Sequence, residues 1–505
     1  MARARPLGAI GVFSVAFMAL FAGHLLLKVY MPNAAIGGLG FLAIALIFSY
    51  VLFIRRDPFG FVMIIYICSH FSYADNQGGL WNLMAFGLLS IYVVLRKPVS
   101  EFQRPDYTLF LLLGTFIFWN LLGWVFKNPL PVVPRVQGVA AFLGFILIFY
   151  LAGNLSLSKE RLRLFLTVTF VMLIYQFLVA LNQRYFIMPL NTPLLGGYSD
   201  IGTTITPATV DTPGTLMHFE LFSEYAVLLA CLLIPLLSSS ITKRKLGFGV
   251  PRLAIMLLIC FTIPMLTSTR SAAILLVFVI GVYFLLFPLK IFSVIDRFGR
   301  QLASLFALAM ILPVVGVYVG LEHLEKDFSD LSTTQFTVES VTSGKSINRG
   351  GLVSIALERI DSESWWAGYG YGIPRSNRWA WFGVDPAQRE VRIAGFHSLY
   401  LSLPMLYGWI GSLVFLAMIV ATAGRCSLAA LRYRRRKVFH VVFLVGFSLF
   451  WFVFLVDEYK ISILRNPNYH MLFWIWLGLS NALLKTIRQD EGVKTTEPSV
   501  RRKML

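Results

Sequence analysis

The sequence predicts an all-α, polytopic transmembrane helical bundle of about fourteen spans, twelve if short neighbours merge. Three observations carry this prediction. Hydrophobic residues make up 57% of the 505 and charged residues only 14%, where a soluble domain carries nearer a quarter charged. Apolar runs of membrane-crossing length recur along the chain. The basic residues sit between those runs, at intervals of two spans.

Crossing ~30 Å of hydrocarbon takes about 20 residues, fewer when flanking side chains snorkel. Runs of that kind lie near 7–27, 34–54, 59–74, 79–95, 107–126, 137–153 and 164–182. They continue near 216–238, 252–268, 271–289, 301–320, 398–421, 438–456 and 469–484. The first is read as a span and not as a cleaved leader, because no small-residue cleavage site precedes Lys28 and many spans follow.

The net charge of +19 invites a nucleic-acid reading, but the distribution argues against it. With the N-terminus inside, the cytoplasmic segments hold 29 of the 44 Lys and Arg, while short outer loops and span ends hold seven. One long outer loop holds the remaining eight. This is the positive-inside pattern, and it places both termini in the cytoplasm. The four cysteines, Cys68, Cys231, Cys260 and Cys426, fall in apolar runs or beside a basic stretch, so no structural disulfide is expected.

The chain therefore divides into residues 1–320 (eleven spans), an outer loop at 321–397, three spans over 398–484 and a basic tail, 485–505. A shorter outer segment, 183–215, is rich in Pro and Gly. The 321–397 loop is far longer than a connection requires, and loops of that length are usually functional or disordered. It reads as partly helical over Asn348–Ile360 and as aromatic and glycine-rich over Trp365–Phe382.

Four places carry candidate chemistry. Arg270 lies in a Thr-Ser-Thr-Arg-Ser-Ala turn at the outer end of two nearly touching spans. A guanidinium there faces an anion or a cavity, or else snorkels to the interface. His397 stands where the long loop re-enters the membrane, before a small-residue turn at Gly408–Gly411. An imidazole can accept a hydroxyl proton near neutral pH. Five other histidines (His24, His70, His218, His323 and His470) also fall in the outer half.

Arg349 opens the predicted loop helix, which would carry Leu352, Ala356 and Ile360 on one face. Arg359, Arg375, Arg378, Arg389 and Arg392 add positive charge suited to phosphate, though each singly reads as a solvated loop charge. Glu220 and Glu224, four apart, share one face of a span near its outer end. Intramembrane carboxylates are costly and usually face a cavity. They would position an acceptor, pair with Arg270 or carry protons. No metal-ligand spacing and no phosphate-cradling loop is present, so neither a metal nor a nucleotide cofactor is expected.

Three of these elements together resemble the O-antigen ligase and O-antigen polymerase superfamily. They are the Thr267–Ala272 turn, the Arg349 helix leading to Ala367-Gly368-Tyr369-Gly370, and His397-Ser-Leu-Tyr-Leu followed by Gly408 and Gly411. The resemblance covers roughly 205–420. Ser398 departs from it, since many relatives carry Asn after the His.

The resemblance implies a bacterial inner-membrane glycosyltransferase without a metal, acting on its outer face upon undecaprenyl-diphosphate-linked glycans. Arg270 and Arg349 would then hold the diphosphate and His397 would act on the acceptor hydroxyl. A chain-length regulator and a flippase of the same pathway would be partners, beside membrane lipids, and nucleic acid would not.

Fourteen spans exceed the twelve typical of the ligases, which favours polymerisation into an O-antigen, capsule or exopolysaccharide over ligation to lipid A–core. A transporter is the alternative of another class. It would more often show repeated halves with broken helices at the midplane, whereas the unusual residues here lie at one face beside one large loop.

Overall fold

The computed structural model describes residues 58–70, 106–127, 132–185, 214–216, 219–239, 248–267, 269–286, 366–370, 399–433, 439–458, 463 and 467–496. Among them the chain is helical, with no β-strand. In order, the α-helices are α1 (Pro58–Cys68), α2 (Tyr107–Phe126), α3 (Val132–Asn154), α4 (Lys159–Tyr185) and α5 (Phe219–Ser238). They continue as α6 (Val250–Leu266), α7 (Arg270–Leu286), α8 (Leu399–Tyr433), α9 (Phe439–Asp457) and α10 (Pro467–Thr496).

Among the described residues five helical stretches are long and apolar enough to cross a membrane: Tyr107–Phe126, Lys159–Tyr185, Glu220–Ser238, Leu406–Tyr433 and Phe439–Asp457. The spans expected near 7–27, 34–54, 79–95 and 301–320 lie outside the described residues, as does most of 321–397.

Apolar sequence favours helix here because hydrocarbon offers the backbone no hydrogen-bond partner, and a helix satisfies its groups internally. Hydroxyls inside the helices follow the same rule: Thr167, Ser448 and Ser480 each donate to the carbonyl four residues back. Asp106 starts α2 by accepting from the Leu109 amide at 3.2 Å, satisfying one of the donors a helix start leaves open.

Helix α2 packs antiparallel on α8, and α5 antiparallel on α6 and on α9, whereas α3 and α10 run parallel, Phe145 meeting His470 and Phe149 meeting Trp474. Helix α5 is buried along its whole apolar length, while α2 is peripheral, with Tyr107, Phe110, Leu111 and Phe118 exposed. At the α3–α10 crossing a Cβ on Gly478 would sit 2.6 Å from that of Ala152, so this approach requires glycine.

Cross-links fix which ends coincide. Asp106 at the start of α2 meets Arg425 late in α8 at 2.9 Å, and the Leu157 amide before α4 donates to Thr486 late in α10. His440 at the start of α9 bonds Leu157 O. These residues mark a basic end. The opposite end gathers the finish of α1, α4 and α9 and the start of α5, α7, α8 and α10. It is acidic, with Glu220, Glu224, Asp457 and Glu458 all buried.

Candidate functional site

The acidic end is assembled from short, specific locks. Gln183, near the end of α4, donates its side-chain amide to Gly214 O at 3.2 Å and accepts from Gly214 N at 2.9 Å. That two-point clamp fixes the 3-10 turn Gly214–Leu216 just before α5. Glu220 and Glu224 follow within the first two turns of α5, and both face the protein interior, as their four-residue spacing requires. Ser223 donates to Glu220 O at 2.8 Å.

Glu458 follows the last residue of α9 and is fully buried. Its Oε2 accepts from the Ile463 amide at 3.2 Å, and its main-chain carbonyl accepts from the Leu399 amide at 2.9 Å. Tyr400 donates its hydroxyl to Leu455 O. Helix α8 therefore starts against the end of α9. Burial, and next the carboxyl of Glu224, hold the Glu458 pKa well above the ordinary range; the Ile463 amide lowers it in part, and Asp457 adds a smaller rise. A carboxyl in that setting favours its neutral form, an O–H donor more than a base.

Thr267 and Thr269 turn the chain back tightly onto the end of α6. Thr267 caps α6, its amide donating to Ile263 O at 2.9 Å, and the Thr269 amide donates to Pro264 O at 3.0 Å. The Thr267 hydroxyl donates to Pro264 O at 3.2 Å and that of Thr269 to Thr267 O at 3.3 Å. Both threonines are buried. The turn delivers Arg270 as the first residue of α7. Ser238 at the far end of α5 bonds Tyr283 late in α7 at 2.5 Å, so Arg270 opens α7 at the same end as Glu220 and Glu224. A helix start presents free amides and a positive dipole end, a natural place for phosphate oxygens.

A piece of the long loop reaches into this end of the bundle. Gly408 breaks α8 with φ 69° and ψ 174°. A Cβ on Gly408 would lie 2.5 Å from Trp366 O and 2.8 Å from Gly368 N. A Cβ on Gly368 would strike Leu406, and one on Gly123 of α2 would strike Gly368 O. The Gly370 amide donates to Leu406 O at 2.7 Å, and the Trp119 indole donates to Trp366 O at 2.7 Å. Residues 366–370 thus form a clasp between α2 and the break in α8. The glycines of this stretch serve close backbone packing. The turn expected at Gly408–Gly411 is a kink inside one helix.

Of the expected site residues, the structure brings Glu220, Glu224 and the backbone of Arg270 to one end. Arg349 and His397 lie outside the described residues, although Leu399 comes two positions after His397 in the chain. Two of the other histidines are packing residues. His470 accepts from the Trp474 indole at 3.0 Å against Phe145, and His70 bonds Tyr66 O at 2.7 Å against Tyr225. Sequence reasoning missed Glu458 and Gln183. A carboxylate directly after the run 438–456 was the signal available for Glu458. Among the described residues no group of His, Cys, Asp and Glu is arranged to hold a metal ion.

Long apolar helices with buried carboxyls, threonines and a helix-start arginine gathered at one end define a multi-pass membrane protein with a polar site at that end. Residues 255–416 match the family model described as O-antigen ligase, so this part of the chain carries a domain consistent with the O-antigen ligase and polymerase superfamily. The match runs from α6 to just past the Gly408 break and contains Arg270, Arg349 and His397. No curated protein matches the chain.

Proposed function

We propose that the acidic end is the outer-face active site of a glycosyltransferase that polymerises undecaprenyl-diphosphate-linked repeat units into a surface polysaccharide. One observation carries the reading. The family match spans the arginine turn, the loop arginine and the loop histidine, and Arg270 opens α7 at the end where α8 begins just after His397.

In this reading Arg270 and the first amides of α7, with Arg349, hold the diphosphate and offset charge growing on it as it leaves. His397 accepts the proton of the acceptor hydroxyl, whose oxygen forms the new bond to the anomeric carbon as the carbon–diphosphate bond breaks. Undecaprenyl diphosphate departs, and direct displacement inverts the anomeric centre. Glu458, its pKa raised chiefly by burial, suits a donor's part better than a base's. Glu220 and Glu224 line the acceptor side. Concentrating two lipid-tethered substrates in one groove supplies much of the rate.

Ligation to lipid A–core is the second reading, favoured by the ligase description of the matched family. Nothing in that match supports a transporter. Purified protein given lipid-diphosphate repeat units decides between the enzymes: a ladder from donor alone means polymerisation. A single transfer that appears only when lipid A–core is added means ligation, and no product with either acceptor removes both.

A further inference from the structure

The basic end holds a feature the transfer reaction does not use. A shallow, half-open recess of about 20 Å3 lies between α2, α3 and α10, lined by Asp106, Leu109, Phe110, Phe149, Asn154 and Lys485. Its apolar wall continues onto the exposed face of α2, where Phe110 is 58% and Leu111 69% accessible.

The charges around it are unequal. Among the described residues lining the recess Asp106 is the one carboxylate, and it is committed: it accepts from Arg425 at 2.9 Å and from the Leu109 amide at 3.2 Å, with Arg488 at 4.0 Å. Lys485 donates to Asn154 Oδ1 at 2.6 Å and to Gly153 O at 3.1 Å, both neutral acceptors. An ammonium has a third donor to give. Burial pulls the Lys485 pKa down to about 8, offset only in part by Asp106, so its charged form gains from any anion brought beside it. Arg488, half-exposed, adds a guanidinium on the next turn of α10.

We propose that the mouth of this recess binds the phosphate of a membrane phospholipid, held between Lys485 inside and Arg488 beside Asp106, with an acyl chain along the exposed face of α2. An apolar wall below and paired cations above fit a phospholipid better than a free anion, which would leave the wall unused. Basic pockets between spans are known hosts for such headgroups. Three cations against one committed carboxylate supply the charge complementarity.

The test uses the full chain, delipidated in neutral detergent, with thermal unfolding followed as lipid is added. Phosphatidylglycerol should stabilise the protein at concentrations where phosphatidylcholine does not. Arg488→Gln, at a half-exposed site that leaves folding intact, should weaken the apparent affinity for phosphatidylglycerol about tenfold, as loss of a charge-assisted contact does. Lys485→Gln should weaken it at least as much. A phosphatidylglycerol response unchanged in both variants would overturn the proposal. So would inorganic phosphate reproducing the full stabilisation by itself, since the site would then take a soluble anion.

Discussion

The amide of Leu399 donates to the main-chain carbonyl of Glu458 at 2.9 Å, so the helix that follows His397 begins on the buried end of α9. The carboxyl of the same residue accepts from the Ile463 amide at 3.2 Å, so both the backbone and the side chain of Glu458 are engaged where α8 meets α9.

Because the Glu458 pKa is raised in the folded state, the folded chain binds a proton that the unfolded chain has released. Stability therefore falls as pH rises, beginning at the ordinary carboxylate value near 4.5 and continuing up to the raised value. Glu458→Gln mimics the neutral form. The variant should show a flatter profile and exceed wild type at alkaline pH, read as unfolding temperature from pH 6 to 9. Parallel profiles would show that Glu458 ionises freely.

The clasp predicts a steric effect. Gly408→Ala places a Cβ against Trp366 and Gly368 and sets an L-residue at φ 69°, ψ 174°, a region almost reserved for glycine that costs about 1–3 kcal/mol before any clash. Protein should still insert, with lower unfolding temperature and at least tenfold less glycan product, the order of loss that about 1.4 kcal/mol of misplacement brings. Gly424→Ala, on the same helix with nothing near its Cβ, should behave as wild type.

Much of the helical layout was legible. The run 107–126 coincides with α2, Tyr107–Phe126, because its apolar stretch ends at Asp106 on one side and Lys127 on the other. The run 398–421 was too short for α8, which continues to Tyr433; beyond the apolar stretch Arg425 reaches Asp106, and hydropathy does not register such a link. That Glu220 and Glu224 share one face of a helix was legible from their spacing. The role of Glu458 was not, since its burial depends on α8 resting on it across some sixty residues of sequence. The same holds for Gly368 and Gly408, whose pairing is a contact between a loop and a helix break.

Orientation is tested in a background lacking Cys68, Cys231, Cys260 and Cys426. Cysteines at Ser343 and Asp385 should react with impermeant thiol reagents in intact spheroplasts, and one at Ser427, toward the basic end of α8, should not. Labelling at Ser427 alone would invert the assignment, because the charge skew would then point the wrong way.

At the helix start, Arg270→Lys keeps the charge and loses the planar fork, so it should lose most glycan product at normal protein level. Arg349→Ala should impair donor use as well. The defect belongs in donor titration, as a raised requirement for lipid-linked substrate. Normal polymer from Arg270→Ala would reduce that residue to an interfacial anchor.

The central claim is that His397 works on the acceptor at the end of the bundle where Arg270 holds the donor. Its most direct test is release of undecaprenyl diphosphate by purified protein in lipid discs, with donor binding measured on the same samples. Wild type should release it in step with glycan transfer, at a rate that rises with pH through an apparent value between about 6 and 8. His397→Ala should bind donor nearly as well and release about a hundredfold to ten-thousandfold less. Release at the wild-type rate from His397→Ala, or donor binding lost together with release, would contradict the account.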